Sequence, residues 1–399
     1  MSIATLNAKS LVTGAADLKT PSHIRRIFLK LVAIAAIATL AVGIAPAEEE
    51  WDGVKKIVAV GDIHGDYGQF VALLRSAELI DENDHWIGGE THLVQTGDVP
   101  DRGPDTRKIM DLLMRLEDEA KQSNGYVHAL IGNHEAMNVY GQLNYVHPGE
   151  YASFATEESE ALQEKAYEHH KKELKAHPPE GGLPDFNDEY RAAWCARHPL
   201  GYFEHRKAFD VSGTYGKWIA DHNAVIKIND TVFLHGGIGP SFMGENIKSL
   251  NRSIVDELRD FSKLQAGVAT HSEGPLWYRG LAQQEEAIEE PHLEELLDGL
   301  DAKRIVIGHT VSPGTVWPRF GGRVVMIDVG MAATYGGRLA CLVIEDRVAY
   351  ALHRGTRIDF PKDDGPDLLR YVKEAAALDP QPSPLAPTIA KLENEHQAP

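Results

Sequence analysis

Short β-branched runs recur along the chain, and each is cut off by a glycine. Residues 55–60 (Lys-Lys-Ile-Val-Ala-Val) stop at Gly61-Asp62, and residues 91–96 (Thr-His-Leu-Val-Gln-Thr) stop at Gly97-Asp98. Residues 126–131 run into Gly132-Asn133-His134-Glu135, residues 231–234 into His235-Gly236-Gly237, and residues 304–307 into Gly308-His309-Thr310. Each run has the length and composition of a strand, and glycine is the punctuation expected at its end. Between them, 67–77 and 106–121 carry apolar residues at helical spacing. Strands alternating with helices predict α/β layers with loops gathered at the strand ends. Further strands are expected at 323–329, 339–344 and 348–353, the last two turning at Glu345-Asp346.

Two stretches stand apart from this frame. Residues 140–220 contain a charged, helix-like run over 157–177 and a Pro-Pro-Glu-Gly-Gly break, which reads as an insertion: a cap beside a site or a solvated excursion. From 379 to 399 the chain is rich in proline and polar residues, the composition of a disordered tail. At the other end, Arg25-Arg26-Ile27-Phe28-Leu29-Lys30 precedes an apolar run over 31–44 and then Ala45-Pro46-Ala47. That is the anatomy of a secretory signal over 1–47, with cleavage expected after Ala47. The paired arginines resemble a twin-arginine export signal, with Ile24 where Ser or Thr is usual. The alternative is an uncleaved membrane anchor, but the apolar core is short for a span of ~20 residues. Either way the catalytic part is expected outside the cytoplasm, in the periplasm if the signal is cleaved, touching membrane only through this segment.

Composition narrows the chemistry. With 43% hydrophobic and 25% charged residues the chain is ordinary for a globular protein. A formal charge of −19 argues against nucleic acid as a partner, which calls for a basic face. An anionic substrate must then be drawn in locally, by metal ions or arginines. Two cysteines, Cys195 and Cys341, make neither a thiolate metal site nor a disulfide framework; they read as small buried hydrophobes, with pairing in an oxidising compartment the alternative.

What the strand ends carry is more specific. Asp62 and His64 lie two apart, so an extended backbone points both the same way. Asp98, Asn133, His235 and His309 follow the other runs. Oxygen and imidazole donors without thiolate suit manganese, iron or zinc. Two divalent ions ~3.5–4 Å apart would share Asp98 and clamp an in-line phosphoryl displacement. The glycines are expected to supply positive φ at the turns and close backbone approach to metal and phosphate. His169, His170, His177 and His271 follow no strand end and read as surface residues.

Taken together, Gly61-Asp62-Ile63-His64-Gly65, Gly97-Asp98-Val99-Pro100-Asp101-Arg102-Gly103, Gly132-Asn133-His134-Glu135, His235-Gly236-Gly237 and Gly308-His309-Thr310 resemble the signature of calcineurin-like metallophosphoesterases, in their phosphoprotein phosphatase branch. Over residues 55–355 the chain looks most like the bacterial Shewanella-like protein phosphatases. The resemblance implies a four-layer α/β/β/α sandwich. It implies two divalent or trivalent metal ions, the first held by Asp62, His64 and Asp98 and the second by Asp98, Asn133, His235 and His309, with a bridging hydroxide as nucleophile. His134 matches the proton donor to the leaving group and Asp101 the carboxylate that orients it. Arg102 offers two donors to phosphate, and Arg279 either a second phosphate contact or a surface salt bridge. Glu135 reads as a structural hydrogen-bond partner.

In segment 328–337 the chain departs from the eukaryotic Ser/Thr enzymes, whose tyrosine-bearing loop has no clear counterpart here. A phosphorylated protein is therefore the expected substrate, phosphotyrosine ahead of phosphoserine or phosphothreonine. Tyr140, Trp277 and Tyr278 are candidate walls for the ring, with core packing the competing role for each. The runner-up reading is a diadenosine tetraphosphate-type nucleotide hydrolase, against which export argues. A metal-binding scaffold without turnover would show a degraded ligand position, and none is degraded.

Overall fold

The computed structural model describes residues 48–362 and 365–397. The expected export signal and cleavage point, within 1–47, fall outside the described residues. Among those described, no helix is long and apolar enough to cross a membrane.

Two six-stranded sheets form the frame. One holds β2 (Lys56–Val60), β3 (His92–Gln95) and β4 (Tyr126–Ala129) in parallel, extended by the antiparallel meander β10 (Ala340–Glu345), β11 (Val348–His353) and β12 (Thr356–Asp359), in the order β12-β11-β10-β2-β3-β4. The other runs β1-β5-β6-β7-β9-β8. Its strands are β1 (Glu50–Trp51), β5 (Val225–Ile228), β6 (Thr231–Leu234), β7 (Arg304–Ile307), β8 (Trp317–Arg319) and β9 (Val324–Met326), with β6, β7 and β9 parallel. The parallel strands are buried on both faces and mostly apolar: Val58, Ala59, Val60, Val232, Phe233, Val306 and Ile307 are all inaccessible. One continuous core joins residues of both sheets.

Helices cover the sheets. Asp66 caps α1 (Tyr67–Ser76), accepting from the Gln69 amide at 3.1 Å. Helix α2 (Thr106–Lys121) buries Ile109, Met110, Leu112, Leu113, Leu116 and Ala120 along one stripe and packs beside β4. Asn133–Tyr140 forms α3. The α/β/β/α sandwich implied by the resemblance is the fold this chain adopts.

Residues 140–220 are helical: α4 (Pro148–Phe154), α5 (Ser159–Ala176), α6 (Asp188–Arg197), α7 (Tyr202–Phe209) and α8 (Thr214–Ala220). Arg206 of α7 ties the group to the frame by donating to the carbonyls of Asn138 and Val139. Beyond it come α9 (Ile247–Arg259), α10 (Gly280–Gln283) and α11 (Glu286–Gly299).

Over its described residues, 379–397, the proline-rich end corrects the expectation of a disordered tail. After α12 (Pro366–Leu378) the chain forms a further helix, α13 (Ala386–Gln397), with Leu385 and Leu392 buried. Asp379 anchors the junction: its carboxylate meets His353 Nε2 and Arg354 Nε, both at 2.9 Å, and accepts from Ser383 at 2.7 Å. Composition hid a few well-placed apolar residues and one buried acceptor. Cys195 and Cys341 are both free thiols, Cys341 fully buried and Cys195 half-buried.

Candidate metal centre

The strands β2, β3, β4, β6 and β7 all deliver their carboxyl ends to one place, where ligands of open α/β sheets bind. Backbone bonds lock the turns together. The amides of Ile63 and His64 donate to the Asp98 carbonyl at 3.1 and 3.0 Å, and the His309 amide donates to Asp62 Oδ1 at 3.0 Å. Glu135, at the start of α3, accepts from the amides of Asp98, Val99 and Gly132 at 2.7–2.8 Å, the structural role expected of it.

The turns are strained in an unexpected way. Beside the expected glycines Gly65 (68°) and Gly97 (93°), positive φ also falls on the functional residues themselves: His64 (48°), Asp98 (61°), Asp101 (74°), Arg102 (66°) and His309 (63°). Such conformations cost energy in non-glycine residues and persist only where their surroundings fix them. Gly132 and Gly308 serve instead by close approach: a Cβ on either would stand 2.5 Å from Oδ1 of Asp98 or of Asp62.

The side chains present lone pairs to one another. His64 Nδ1 donates to the Pro100 carbonyl (3.1 Å), so its Nε2 is left bare, 3.7 Å from Asp98 Oδ2 and 3.9 Å from Asp62 Oδ2. His235 Nδ1 donates to the Thr96 carbonyl (2.9 Å), and its Nε2 stands 2.8 Å from Asn133 Oδ1 and 3.2 Å from Asp98 Oδ1. His309 Nε2 is buried with no hydrogen-bond partner. Acceptors facing acceptors, all buried, call for a cation among them. Two donor groups emerge, His64 with Asp98 and His134, and Asp98 with His235 and His309; Asp98 belongs to both.

Electrostatics agree. Burial, then the charges of Asp328 and Asp98, push the Asp62 carboxyl well above its usual range. Burial also raises Asp328 to about 6 and lowers His64 to about 4; His309 falls to about 2 through burial and its neighbour His235. Burial alone would raise Asp98 too, but His235, His134 and His64 together hold it well below. Crowded carboxylates beside imidazoles are a donor set that fits divalent cations. The six residues predicted as ligands, Asp62, His64, Asp98, Asn133, His235 and His309, are thus brought to one buried cluster.

The other predicted residues border it. His134 Nδ1 is hydrogen-bonded to Asp101 Oδ2, while Asn138 donates to Asp101 Oδ1 at 3.1 Å. His134 Nε2 faces Asp98 Oδ2 at 3.7 Å. Burial works against charge on His134, but Asp98 and the Asp101 contact outweigh it, so its pKa is raised. Arg102 stacks on Tyr145, its guanidinium carbon 4.3 Å from the ring centre, with Tyr335 at 5.9 Å on another side. Arg279 donates to the His309 carbonyl and Thr310 Oγ1, both at 2.8 Å; it lies against the second histidine turn and makes no carboxylate salt bridge among the described residues.

Sequence reasoning missed four residues. Asp328, just past β9, adds a buried carboxylate. Tyr335 brings its ring 5.4 Å from that of His64, so segment 328–337 does place a tyrosine at the site. Tyr145 lies 5.2 Å from the His134 ring. Glu150, wholly buried, accepts from the Asp101 amide. Of the proposed walls, Tyr278 is spent on a hydrogen bond to Glu289 and Tyr140 packs against the core, whereas Trp277 donates to the Ala269 carbonyl and also sets its ring edge-on to that of His309, 5.9 Å between centres, so it alone of the three borders the cluster. His169 and His177 are exposed and His271 half-exposed; His170 is half-buried against Tyr190.

Sandwich and donor cluster together define a metallophosphoesterase. The family model for calcineurin-like phosphoesterases matches residues 55–313, and the chain belongs to that family, as a metal-dependent phosphatase. Within it the chain is similar to the Shewanella-like protein phosphatases: it is 29% identical over 293 residues to Shewanella-like protein phosphatase 1 of Plasmodium berghei, covering 71% of this chain and 68% of that one. An uncharacterised protein of Schizosaccharomyces pombe is 31% identical over 314 residues, covering 75% and 81%. Among solved structures, the cold-active protein-tyrosine phosphatase of a psychrophilic Shewanella superposes with a TM-score of 0.60 at 25% identity, covering 78% of this chain and 82% of that one.

Proposed function

We propose that this chain is an exported two-metal phosphomonoesterase of phosphoproteins, with phosphotyrosine preferred over phosphoserine and phosphothreonine. The observation that carries the two-metal reading is the position of Asp98, whose Oδ1 faces His235 while its Oδ2 faces His64. Asp62, His64 and Asp98 would hold one ion, and Asp98, Asn133, His235 and His309 the other. When bound, manganese, iron or zinc ions supply Lewis acidity to the phosphoryl oxygens and activate a water as nucleophile. Arg102, its guanidinium stacked on Tyr145 with no carboxylate salt bridge among the described residues, offers a fork to two phosphate oxygens. Arg279 stands as the second candidate contact.

His134 is the proposed general acid. Its Nδ1 proton is held by Asp101, which leaves Nε2 to give a proton to the departing oxygen. Although Nε2 also lies near the donors of the first group, the Asp101 contact makes His134 the histidine built to move a proton. Tyr145 and Tyr335 support the aryl preference: flat faces beside His134, Arg102 and His64 suit a phenolic leaving group. The similarity to the Shewanella protein-tyrosine phosphatase supports the same substrate class. Paired Arg25 and Arg26 before an apolar run support export.

A panel of phosphotyrosyl, phosphoseryl and phosphothreonyl peptides with diadenosine tetraphosphate tests this reading. Fastest turnover is expected on the phosphotyrosyl peptide. Faster turnover of the dinucleotide would overturn it.

A further inference from the structure

The geometry points to Glu150 of the helical insertion as a positioning residue for the proton-donating pair Asp101–His134. This rests on the reading of His134 as general acid. Asp101 and Arg102 are consecutive non-glycine residues with positive φ, at 74° and 66°. Two such residues in a row need outside support. Both backbone amides turn toward the insertion, and both find an acceptor there. The Asp101 amide donates to Glu150 Oε2 at 3.2 Å, and the Arg102 amide to the Tyr145 carbonyl at 3.0 Å.

Glu150 is itself fixed from three sides. Its Oε2 also accepts from Thr106 Oγ1 at 2.8 Å, and its Oε1 meets His205 Nε2 of α7 at 3.1 Å. Glu150, His205 and Thr106 are wholly buried. Burial, then the nearby Asp101 charge, raises Glu150 to about 8, and burial lowers His205 to about 3, so the pair carries no net charge at neutral pH. A buried, neutral, multiply bonded acceptor is a costly feature to place in an insertion for bulk stability alone. Its location explains it. It ends on the one amide that sets where the Asp101 carboxylate points, and that carboxylate orients His134.

A carboxylate displaced by about 1 Å can cost on the order of a hundredfold in rate. The loss should fall on the step that needs the acid. The test compares metal-loaded full-length wild type with Glu150→Ala, Glu150→Asp, Glu150→Gln and His134→Ala, on p-nitrophenyl phosphate and on phenyl phosphate. The first leaving group needs little protonation; the second needs it. Glu150→Ala should lose on the order of tenfold to a hundredfold more kcat on phenyl phosphate than on p-nitrophenyl phosphate. Glu150→Gln, whose amide oxygen still accepts from Asp101 and Thr106, should recover most of that difference. Glu150→Asp withdraws the acceptor by one methylene and should show the same bias more weakly; it carries the test if Glu150→Ala does not fold. Equal proportional losses on both substrates, in whichever of these two variants folds, would overturn the assignment. His134→Ala separates the two claims. If it shows the leaving-group bias and the Glu150 variants do not, only the positioning role falls; if His134→Ala shows no bias, the general-acid reading falls and the positioning role with it.

Discussion

The five strand-end turns and the 140–220 insertion build one site by opposite means. At the turns, chemistry is local: each donor sits within four residues of its strand end, and the sheets bring the ends together. In the insertion the useful groups are Tyr145 and Glu150, neither of which belongs to a motif. Each works through a tertiary contact, Tyr145 on Arg102 and Glu150 on the Asp101 amide. The turns therefore supply charge and donors, while the insertion supplies aim. Loss of a metal-binding donor in the first should remove activity whatever the substrate. Losses in the second should depend on what is being hydrolysed.

The largest effect should come from the turns. Asp98→Asn is expected to cost turnover roughly a thousandfold or more, about 4 kcal/mol of transition-state stabilisation, and to exceed the loss from His309→Ala. Steady-state rates with metal in excess check this; similar residual rates in the two variants would break the bridging assignment. His134→Ala stands next, with an expected loss of ~10²–10⁴ on poor leaving groups and much less on p-nitrophenyl phosphate. Smaller still, Tyr145→Ala should weaken phosphotyrosyl peptide binding by about 0.5–1.5 kcal/mol, read as a higher KM, and leave small alkyl phosphates little changed. A uniform fall in kcat on both would place Tyr145 with the turns instead.

The smallest effect on activity should come from a region remote from both. Asp379→Ala removes an acceptor that His353, Arg354 and Ser383 share, and should cost about 1–3 kcal/mol of stability with turnover unchanged. Burial opposes charge on Asp379, but the bonds from Arg354, Ser383 and His353 win and its pKa is depressed. A depressed folded-state pKa gives stability that is present above the unfolded value and lost as pH falls through the folded one. The difference in denaturation midpoint between wild type and Asp379→Ala should thus shrink below about pH 4. A constant difference down to pH 2 would contradict the linkage.

These regions also differ in how far the sequence disclosed them. Strands β6, β7 and β11 are legible to the residue, because β-branched runs closed by glycine or a tight turn leave little choice. Strands β1, β5, β8 and β12 escape notice: two to four residues long, three of them at sheet edges, they lack a pattern that periodicity can detect. The six donors could be picked out because strand ends mark them. Asp328 could have been, since it too follows a β-branched run, but no histidine accompanies it. Tyr145 and Glu150 had no such signal; their roles come from docking of helices distant in sequence. Positive φ on His64, Asp98 and His309 carries no sequence signal either, since Gly65 and Gly97, beside the first two, take positive φ as expected.

The central claim is that Asp98 is shared by two metal ions. Anomalous diffraction from crystals grown with manganese measures this directly. The account predicts two peaks, one among Asp62, His64 and Asp98, the other among Asp98, Asn133, His235 and His309, with His134 Nε2 outside both. A single peak, or one bonded to His134, would contradict it.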